Sequence, residues 1–239
     1  MRADELLTKR GYFKSRTKAA EAIRRGLVET GGKSCLRPAQ DLSEDCEIRI
    51  LAEQYVSNGG YKLKAAFEVF RPDVKEKICL DAGASTGGFT QVLLEEGAAR
   101  VFAVDVGENL LDPSLREDPR VTALDKTNVR SLRAEDFPPL DFLTSDLSFI
   151  SLRTVGQTLL SLLRPGGEAV LLIKPQFEAG KQFLNKNGIV KDPKVRTRIV
   201  EEISDFFRAL GALGIRTAEA PLRKSGMNQE YLLYFRKGE

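Results

Sequence analysis

The sequence predicts a doubly wound α/β domain, a Rossmann-like sheet with helices on both faces, preceded by a small α+β module. Three observations predict it. Apolar runs and helix-like stretches alternate through residues 61–239. A loop of small residues follows the first apolar run and opens a helix. The first 40 residues carry 10 Lys and Arg against 4 Asp and Glu, whereas the remaining 199 carry 27 against 30. Alternation of this kind is the signature of parallel strands joined by crossover helices. A local excess of +6 in a chain of net charge +3 marks a surface for polyanions.

The module is expected over residues 1–50, with 51–60 as a linker. Residues 4–10 read as a short helix, with Asp4 and Glu5 in its first turn and Lys9 and Arg10 in its last, stopped by Gly11. Ser15 is a suitable N-cap for a second helix reaching Arg25, with Gly26 beyond it. Ala19, Ala20 and Ile23 give that helix one small apolar face, and Arg16, Lys18 and Arg24 project elsewhere. Short β-like runs around a Gly31-Gly32 turn continue to Ile50. Arg2, Lys9, Arg10, Lys14, Arg16, Lys18 and Arg24 are the candidate contacts to nucleic acid.

In the larger domain the expected strands are 78–81, 101–106, 121–124, 142–146 and 169–173. Helices are expected over 88–96, 152–163 and 193–210, with two further strands at 214–220 and 230–236. The chain has no His, so any proton transfer falls to Lys, Asp, Glu, Tyr or Cys. Its three cysteines, Cys35, Cys46 and Cys79, form no CxxC pair, which argues against a disulfide framework or a thiolate metal site. The N-terminus lacks the apolar core of a signal peptide, and no apolar stretch approaches the span of a bilayer. A cytoplasmic protein without a membrane partner is expected.

The strongest local signal is Ile78-Cys-Leu-Asp-Ala-Gly-Ala-Ser-Thr-Gly-Gly-Phe-Thr90. Gly83, Gly87 and Gly88, with Ala84, Ser85 and Thr86 between them, suit a backbone that a ligand approaches closely. The spacing does not fit the dinucleotide GxGxxG pattern. Asp81 at the loop entrance suits an ammonium group and would repel a pyrophosphate; S-adenosylmethionine carries both an ammonium and a sulfonium. Asp105, followed by Val106, ends the next strand, where a carboxylate can hold ribose hydroxyls. Alone it reads equally well as a strand-end cap; the preceding loop favours the ribose. Residues 125–128, ending in Asn128, are expected near the adenine. Asp146 ends the fourth strand and Lys174 the fifth, at the edge where open α/β sheets bind ligands. In isolation Lys174 reads better as a lysine reaching to the surface, and Lys62 and Glu230 as ordinary charges at a helix start and a strand edge.

Taken together, three stretches resemble the haemolysin A (TlyA) family of ribosomal-RNA 2′-O-methyltransferases, whose catalytic domain is related to the FtsJ heat-shock methyltransferases. They are Leu80-Asp-Ala-Gly-Ala-Ser-Thr-Gly-Gly-Phe-Thr90, Ser145-Asp-Leu-Ser-Phe-Ile-Ser-Leu152 and Ile173-Lys-Pro-Gln-Phe-Glu-Ala-Gly-Lys181. Residues 1–50 resemble the S-four-type RNA-binding fold through Arg2-x-Asp4-x-Leu6-Leu7, Ser15-Arg16-x-x-Ala19 and Ile23-x-x-Gly26-x-Val28. Glu29-Thr-Gly-Gly-Lys33 departs from the Val-Asn-Gly-like turn usual there.

The resemblance implies a catalytic tetrad of Lys62, Asp146, Lys174 and Glu230, with Lys64 a rival for the first lysine. It implies S-adenosylmethionine as cofactor and ribosomal RNA or a ribosomal subunit as partner, with no obligate protein partner and no metal. Lys174 would take the proton of a ribose hydroxyl, and like-charge repulsion within the lysine cluster would favour its neutral form. The chain stops soon after its last expected strand and so resembles the shorter form of the family, which implies a cytidine of large-subunit RNA as target. Amino-group methylases of bases carry an Asn/Asp-Pro-Pro-aromatic motif where this chain has Asp146-Leu-Ser-Phe149, and the cysteine nucleophile of carbon-5 methylation has no counterpart outside the expected buried strand of Cys79. Two rival readings are a non-catalytic RNA-binding assembly factor and a membrane-active haemolysin.

Overall fold

Each apolar run of the catalytic half becomes a strand because both of its faces find a helix layer to bury against. The computed structural model describes residues 1–24, 26–35, 37–51, 55–221 and 227–239. The chain divides into two units, Met1–Gln54 and Tyr55–Leu222 continued by Met227–Glu239.

In the first unit, helices α1 (Ala3–Lys9) and α2 (Arg16–Arg24) precede a three-stranded antiparallel sheet. Its strands are β1 (Val28–Thr30), β2 (Lys33–Ser34) and β3 (Ile48–Ile50), in the order β2-β1-β3. Ala3, Leu7, Ala19, Ala22, Ile23, Val28 and Cys35 form its core. The Ser15 hydroxyl accepts from the Lys18 amide at 3.3 Å, the capping bond expected of it.

The second unit opens with α3 (Asn58–Phe70). Residues 58–60, placed by sequence in the linker, are thus its first turn, while 52–54 of that linker lie outside the described residues. There follow β4 (Ile78–Ala82), α4 (Gly88–Glu95), β5 (Arg100–Val104), α5 (Pro113–Arg116), β6 (Val121–Leu124), β7 (Leu140–Ser145) and α6 (Leu152–Leu162). The chain continues through β8 (Leu163–Ile173), α7 (Pro175–Glu178), α8 (Pro193–Ala209), β9 (Ala212–Glu219) and β10 (Tyr231–Lys237). The seven-stranded sheet has the order β6-β5-β4-β7-β8-β10-β9. β10 runs antiparallel to both neighbours, and the pairs among β4 to β8 are parallel.

Strand residues alternate between two cores, as a period of two requires. Leu80, Phe102, Leu143, Leu171 and Leu233 pack on the side of α6 and α8. Cys79, Val101, Phe142, Val170 and Leu232 pack on the side of α3 and α4. Strand order reverses about β4, so a crevice opens outside the carboxyl ends of β4, β5 and β7. Among the described residues no helix is long and apolar enough to cross a membrane.

Candidate active site

Four charged side chains converge at that crevice. Lys62 lies in the first turns of α3, whose N-cap Ser57 accepts from the Gly59 amide at 3.3 Å. The helix is set tightly against α4. A β-carbon on Gly88 would lie 2.2 Å from Ser57 Oγ and 2.7 Å from the Gly60 nitrogen. Asp146 and Lys174 follow the last residues of β7 and β8 directly. Glu230 precedes β10, and the antiparallel pairing of Tyr231 with Ile173 brings it alongside Lys174.

Lys62 Nζ stands 2.7 Å from Glu230 Oε2 and 3.6 Å from Asp146 Oδ2. Lys174 Nζ stands 2.7 Å from Asp146 Oδ1 and donates to Ser148 Oγ at 2.8 Å. All four side chains are at most one-fifth exposed, Lys174 least at 9%. Burial works against the Lys62 ammonium, yet Asp146 and Glu230 together outweigh it and raise its pKa above the usual lysine value. Lys62 therefore stays charged, whereas Lys174 faces a single carboxylate and a neutral hydroxyl. Lys64, the rival first lysine, pairs with Glu96 at 2.6 Å, away from the tetrad.

Two cavities flank Asp146. One, of about 340 Å³, is lined by Gly83, Ser85, Asp105, Val106, Asn128 and Asp146, with apolar walls from Leu110, Val129 and Leu147. The other, of about 320 Å³, reaches the N-terminus of α3 at Ser57–Gly59 and is lined also by Ala84, Gly88 and Lys174. Gly83, Ser85, Asp146 and Ser148 border both. Gly83 has φ +84°, and a β-carbon there would sit 3.1 Å from the Asp146 carbonyl oxygen. The loop can therefore close against the β7 end only with glycine. The Asp105 carboxylate accepts from the Ser85 and Gly107 amides, both at 2.8 Å, which fixes it on the cavity wall. Asn128 Oδ1 is bonded to the Arg130 amide at 3.0 Å.

Three expected ligand residues lie elsewhere. Gly87 is buried under the loop with φ +96°, a conformation that favours glycine, and a β-carbon there would also press on the Leu115 and Leu111 methyls at 2.4 and 2.7 Å. Thr86 is exposed and borders neither cavity. Asp81 is fully buried, accepting from Thr90 Oγ1 at 2.8 Å and Thr144 Oγ1 at 3.0 Å. It braces β4 against α4 and β7 beneath the loop. Burial pushes its carboxyl up to about 7 against the two hydroxyl bonds, with the Asp146 charge adding to the rise.

The Asp81 shift predicts a pH dependence of stability. In the unfolded chain this acid releases its proton in the ordinary carboxylate range, whereas the folded protein keeps it to about pH 7. Between those values the native state binds more protons, so stability falls as pH rises through the window, by on the order of 4 kcal/mol in full. Asp81→Asn should flatten that slope. Urea midpoints of both proteins at pH 5 and pH 8 check it; an equally steep loss in the variant would contradict the assignment.

Ser57, Ser148 and Phe149 went unread in the sequence. Phe149 is 91% exposed at the cleft with φ +65°, its ring 5.2 Å from that of Phe177. Ser148 and Phe149 sit inside the stretch after β7 that the sequence had already marked, and a polar residue two places beyond a strand-end acid was the available signal.

In the first unit the candidate cations separate into two sets. Arg2 and Arg16 both pair with the buried Asp4, at 3.0 and 3.2 Å. Lys9 pairs with Glu44, and Arg10 donates to the carbonyls of Glu44 and Cys46. Lys14, Lys18 and Arg24 are exposed, and among the described residues their side chains have no ion-pair partner. Neutralising these three should therefore reduce the salt dependence of RNA binding more than neutralising Lys9 and Arg10, by a slope of about 2 in log K against log salt. Filter-binding titrations from about 50 to 200 mM salt read the difference; equal slopes in the two variants would contradict it.

Residues 55–237 match the family model described as FtsJ-like methyltransferase. The chain is 41% identical over 239 residues to the 16S/23S rRNA (cytidine-2′-O)-methyltransferase TlyA of Mycobacterium tuberculosis (strain ATCC 25618 / H37Rv), covering 98% of this chain and 89% of that protein. It is 35% identical over 260 residues to the 23S rRNA (cytidine-2′-O)-methyltransferase TlyA of Campylobacter jejuni, covering 99% and 100%. Among solved structures, a candidate hemolysin from Streptococcus thermophilus superposes with a TM-score of 0.78 at 36% identity, covering 100% of this chain and 89% of that one.

Proposed function

This chain belongs to the haemolysin A (TlyA) family of FtsJ-like methyltransferases, and we propose that it methylates the 2′-hydroxyl of a cytidine in large-subunit ribosomal RNA, in the cytoplasm, with S-adenosylmethionine as donor. The observation that carries the reading is the convergence of Lys62, Asp146, Lys174 and Glu230 at a crevice between two cavities. Both methyltransferase relatives are named for the 23S cytidine, which is why the large subunit is the favoured substrate.

The residues present fit the donor. The larger cavity combines a fixed carboxylate, Asp105, suited to a ribose diol, with apolar walls suited to a purine. The second ends at the N-terminus of a 13-residue helix, where the orphan amides and helix dipole suit a carboxylate. S-adenosylmethionine, when bound, supplies a methyl group already activated by its sulfonium.

The chain's own part is to make a ribose hydroxyl nucleophilic and hold it in line. A neutral amine on Lys174 has two N–H bonds and one lone pair. Ser148 Oγ accepts one N–H bond at 2.8 Å, and Asp146 Oδ1 stands 2.7 Å away as an ion-pair partner. The lone pair is then left for the hydroxyl proton. As that proton arrives, the ammonium formed faces the Asp146 carboxylate at once, with no reorganisation needed. Lys62, kept charged by Asp146 and Glu230, positions the carboxylates and the hydroxyl. Orientation of two bound partners supplies much of the rate.

Base methylation at carbon 5 lacks its nucleophile. Cys79 is buried in β4, and burial pushes its thiol up to about 12. The basic first unit fits the role of an RNA-binding module that brings the catalytic unit to its target. Mapping ribose methylation on ribosomal RNA from cells with and without the gene tests the proposal. One large-subunit cytidine should lose its 2′-O-methyl group; a complete, unchanged ribose-methylation map would overturn it.

A further inference from the structure

A ribose inside RNA carries a phosphate on either side, so a cleft that accepts its 2′-hydroxyl must also present a rim to a polyanion. The rim is the carboxyl edge of the sheet, and its two sides differ in charge. Near β5, β6 and β7 most cations are matched by acids, and Arg130, whose side chain bonds only the Asn128 amide oxygen among the described residues, is the exception. Lys126 pairs with Glu108 at 2.7 Å and Arg116 with Asp125 at 2.7 Å. Arg153 pairs with Glu178 at 3.1 Å and Glu202 at 2.8 Å.

Beyond Lys174 the pattern changes. Residues 179–200 hold six Lys and Arg against one Asp. Lys181, Lys186, Lys191 and Lys194 are exposed, and among the described residues none of the four has an ion-pair or hydrogen-bond partner for its amine. Topology fixes where this stretch lies. β8 ends at Ile173, and α8, starting at Pro193, returns the chain to the start of β9, which runs parallel to β8. Everything between is therefore a strap on the carboxyl edge, the edge of the cleft.

The strap's backbone is held firmly while its lysines are not. Asn185 Oδ1 accepts from the amides of Asn187 and Ile189, both at 2.9 Å. Asn228, two residues before Glu230, accepts from the Val190 amide and donates to the Gly188 carbonyl, both at 2.9 Å. Arg196 donates to the carbonyls of Val190 and Lys191, and Arg198 lies 4.9 Å over the Phe183 ring. The two arginines thus fasten the strap, and the four lysines are left as free cations on a scaffold tied to the segment that carries Glu230.

We propose that this strap is a second RNA-contact surface, beside the cleft, that receives phosphates flanking the target nucleotide. It rests on the RNA-methyltransferase reading for its partner, and phosphate contacts position a substrate without reading its sequence. The test compares full-length wild type with a variant carrying Lys181→Gln, Lys186→Gln, Lys191→Gln and Lys194→Gln, and with Lys126→Gln as a control on the acid-matched side. The probe is ribosomal RNA purified from cells lacking the gene.

Removing one lysine–phosphate interaction lowers the slope of log K against log salt by about 0.7–0.9, so wild-type affinity should fall on the order of 50–150-fold more than the variant's between about 50 and 200 mM salt. The RNA KM should rise, with S-adenosylmethionine affinity, thermal midpoint and single-turnover rate at saturating RNA unchanged. Lys126→Gln should leave the slope as it is. An unchanged slope in the quadruple variant overturns the proposal, as does a variant that loses binding to anionic vesicles but not to RNA. The readout is binding, so it separates the two levels. A reduced slope without any ribose methylation keeps the surface and removes the methyltransferase reading; methylation with an unchanged slope does the reverse.

Discussion

Lys174→Ala should abolish methyl transfer, lowering the single-turnover rate by about 10²–10⁴-fold, the range a positioned acid–base group supplies. RNA and cofactor affinities should stay within a few-fold of wild type. The chain has no histidine, and Lys174 is the most buried of the four tetrad side chains. Lys174→Arg sharpens the test. Arginine keeps a cation beside Asp146 but cannot give up its proton near neutral pH. A clamp would survive that exchange; a base would not. Arginine should therefore be nearly as inactive as alanine. Saturating both substrates in a single turnover separates chemistry from binding. An arginine variant within a few-fold of wild type would remove the general-base role.

Asp146→Asn should be as damaging, for a different reason. The asparagine keeps the shape but takes away the one carboxylate of the tetrad that faces both lysines, at 2.7 Å from Lys174 and 3.6 Å from Lys62. Glu230 then remains as the sole carboxylate of the tetrad for two lysines in a cleft at most one-fifth exposed. Leaving such a charge unmatched costs about 3–5 kcal/mol where burial is complete, and less in this partly open site. The lysines should turn toward water and lose their alignment. A fall of about 10²–10³-fold in single-turnover rate is expected, with the thermal midpoint lowered by only a few degrees. Glu230→Gln should do less, because Lys62 keeps Asp146. Equal losses for the two variants would show that Asp146 has no special position between the lysines.

Much of the scaffold was legible because buried parallel strands announce themselves as apolar runs. The expected strands at 78–81 and 121–124 lie within a residue of β4 and β6. β8 is longer than expected, since its first half, Leu163–Glu168, contains Pro165, Gly166 and Gly167 and reads as a turn. The site was less legible, and the reasons are specific. Glu230 reaches Lys174 only through an antiparallel pairing between residues far apart in sequence, which no local spacing encodes.

Asp81 was assigned to the ligand because an acid stands at the loop entrance. The period of two gave a contrary signal: it shares a strand face with Cys79, toward the α3–α4 core. Gly87 has its own structural reason, a left-handed N-cap at φ +96° beneath the leucines of the 111–115 segment, which no local spacing encodes. Charge summed over residues 41–239 hid the basic strap, because 29 acids elsewhere in that span offset it. The tetrad itself came from family resemblance; residue by residue, each of its members had an ordinary alternative.

Whether this cleft methylates a ribose hydroxyl of RNA can be read from the chemistry of the product. Purified protein is supplied with methyl-labelled S-adenosylmethionine and ribosomal RNA from cells lacking the gene, and the RNA is then hydrolysed in alkali. A 2′-O-methyl group blocks the neighbouring hydroxyl attack that alkali requires, so the label should appear in an alkali-resistant dinucleotide beginning with cytidine. Label recovered in a mononucleotide would place the methyl group on a base and contradict ribose methylation.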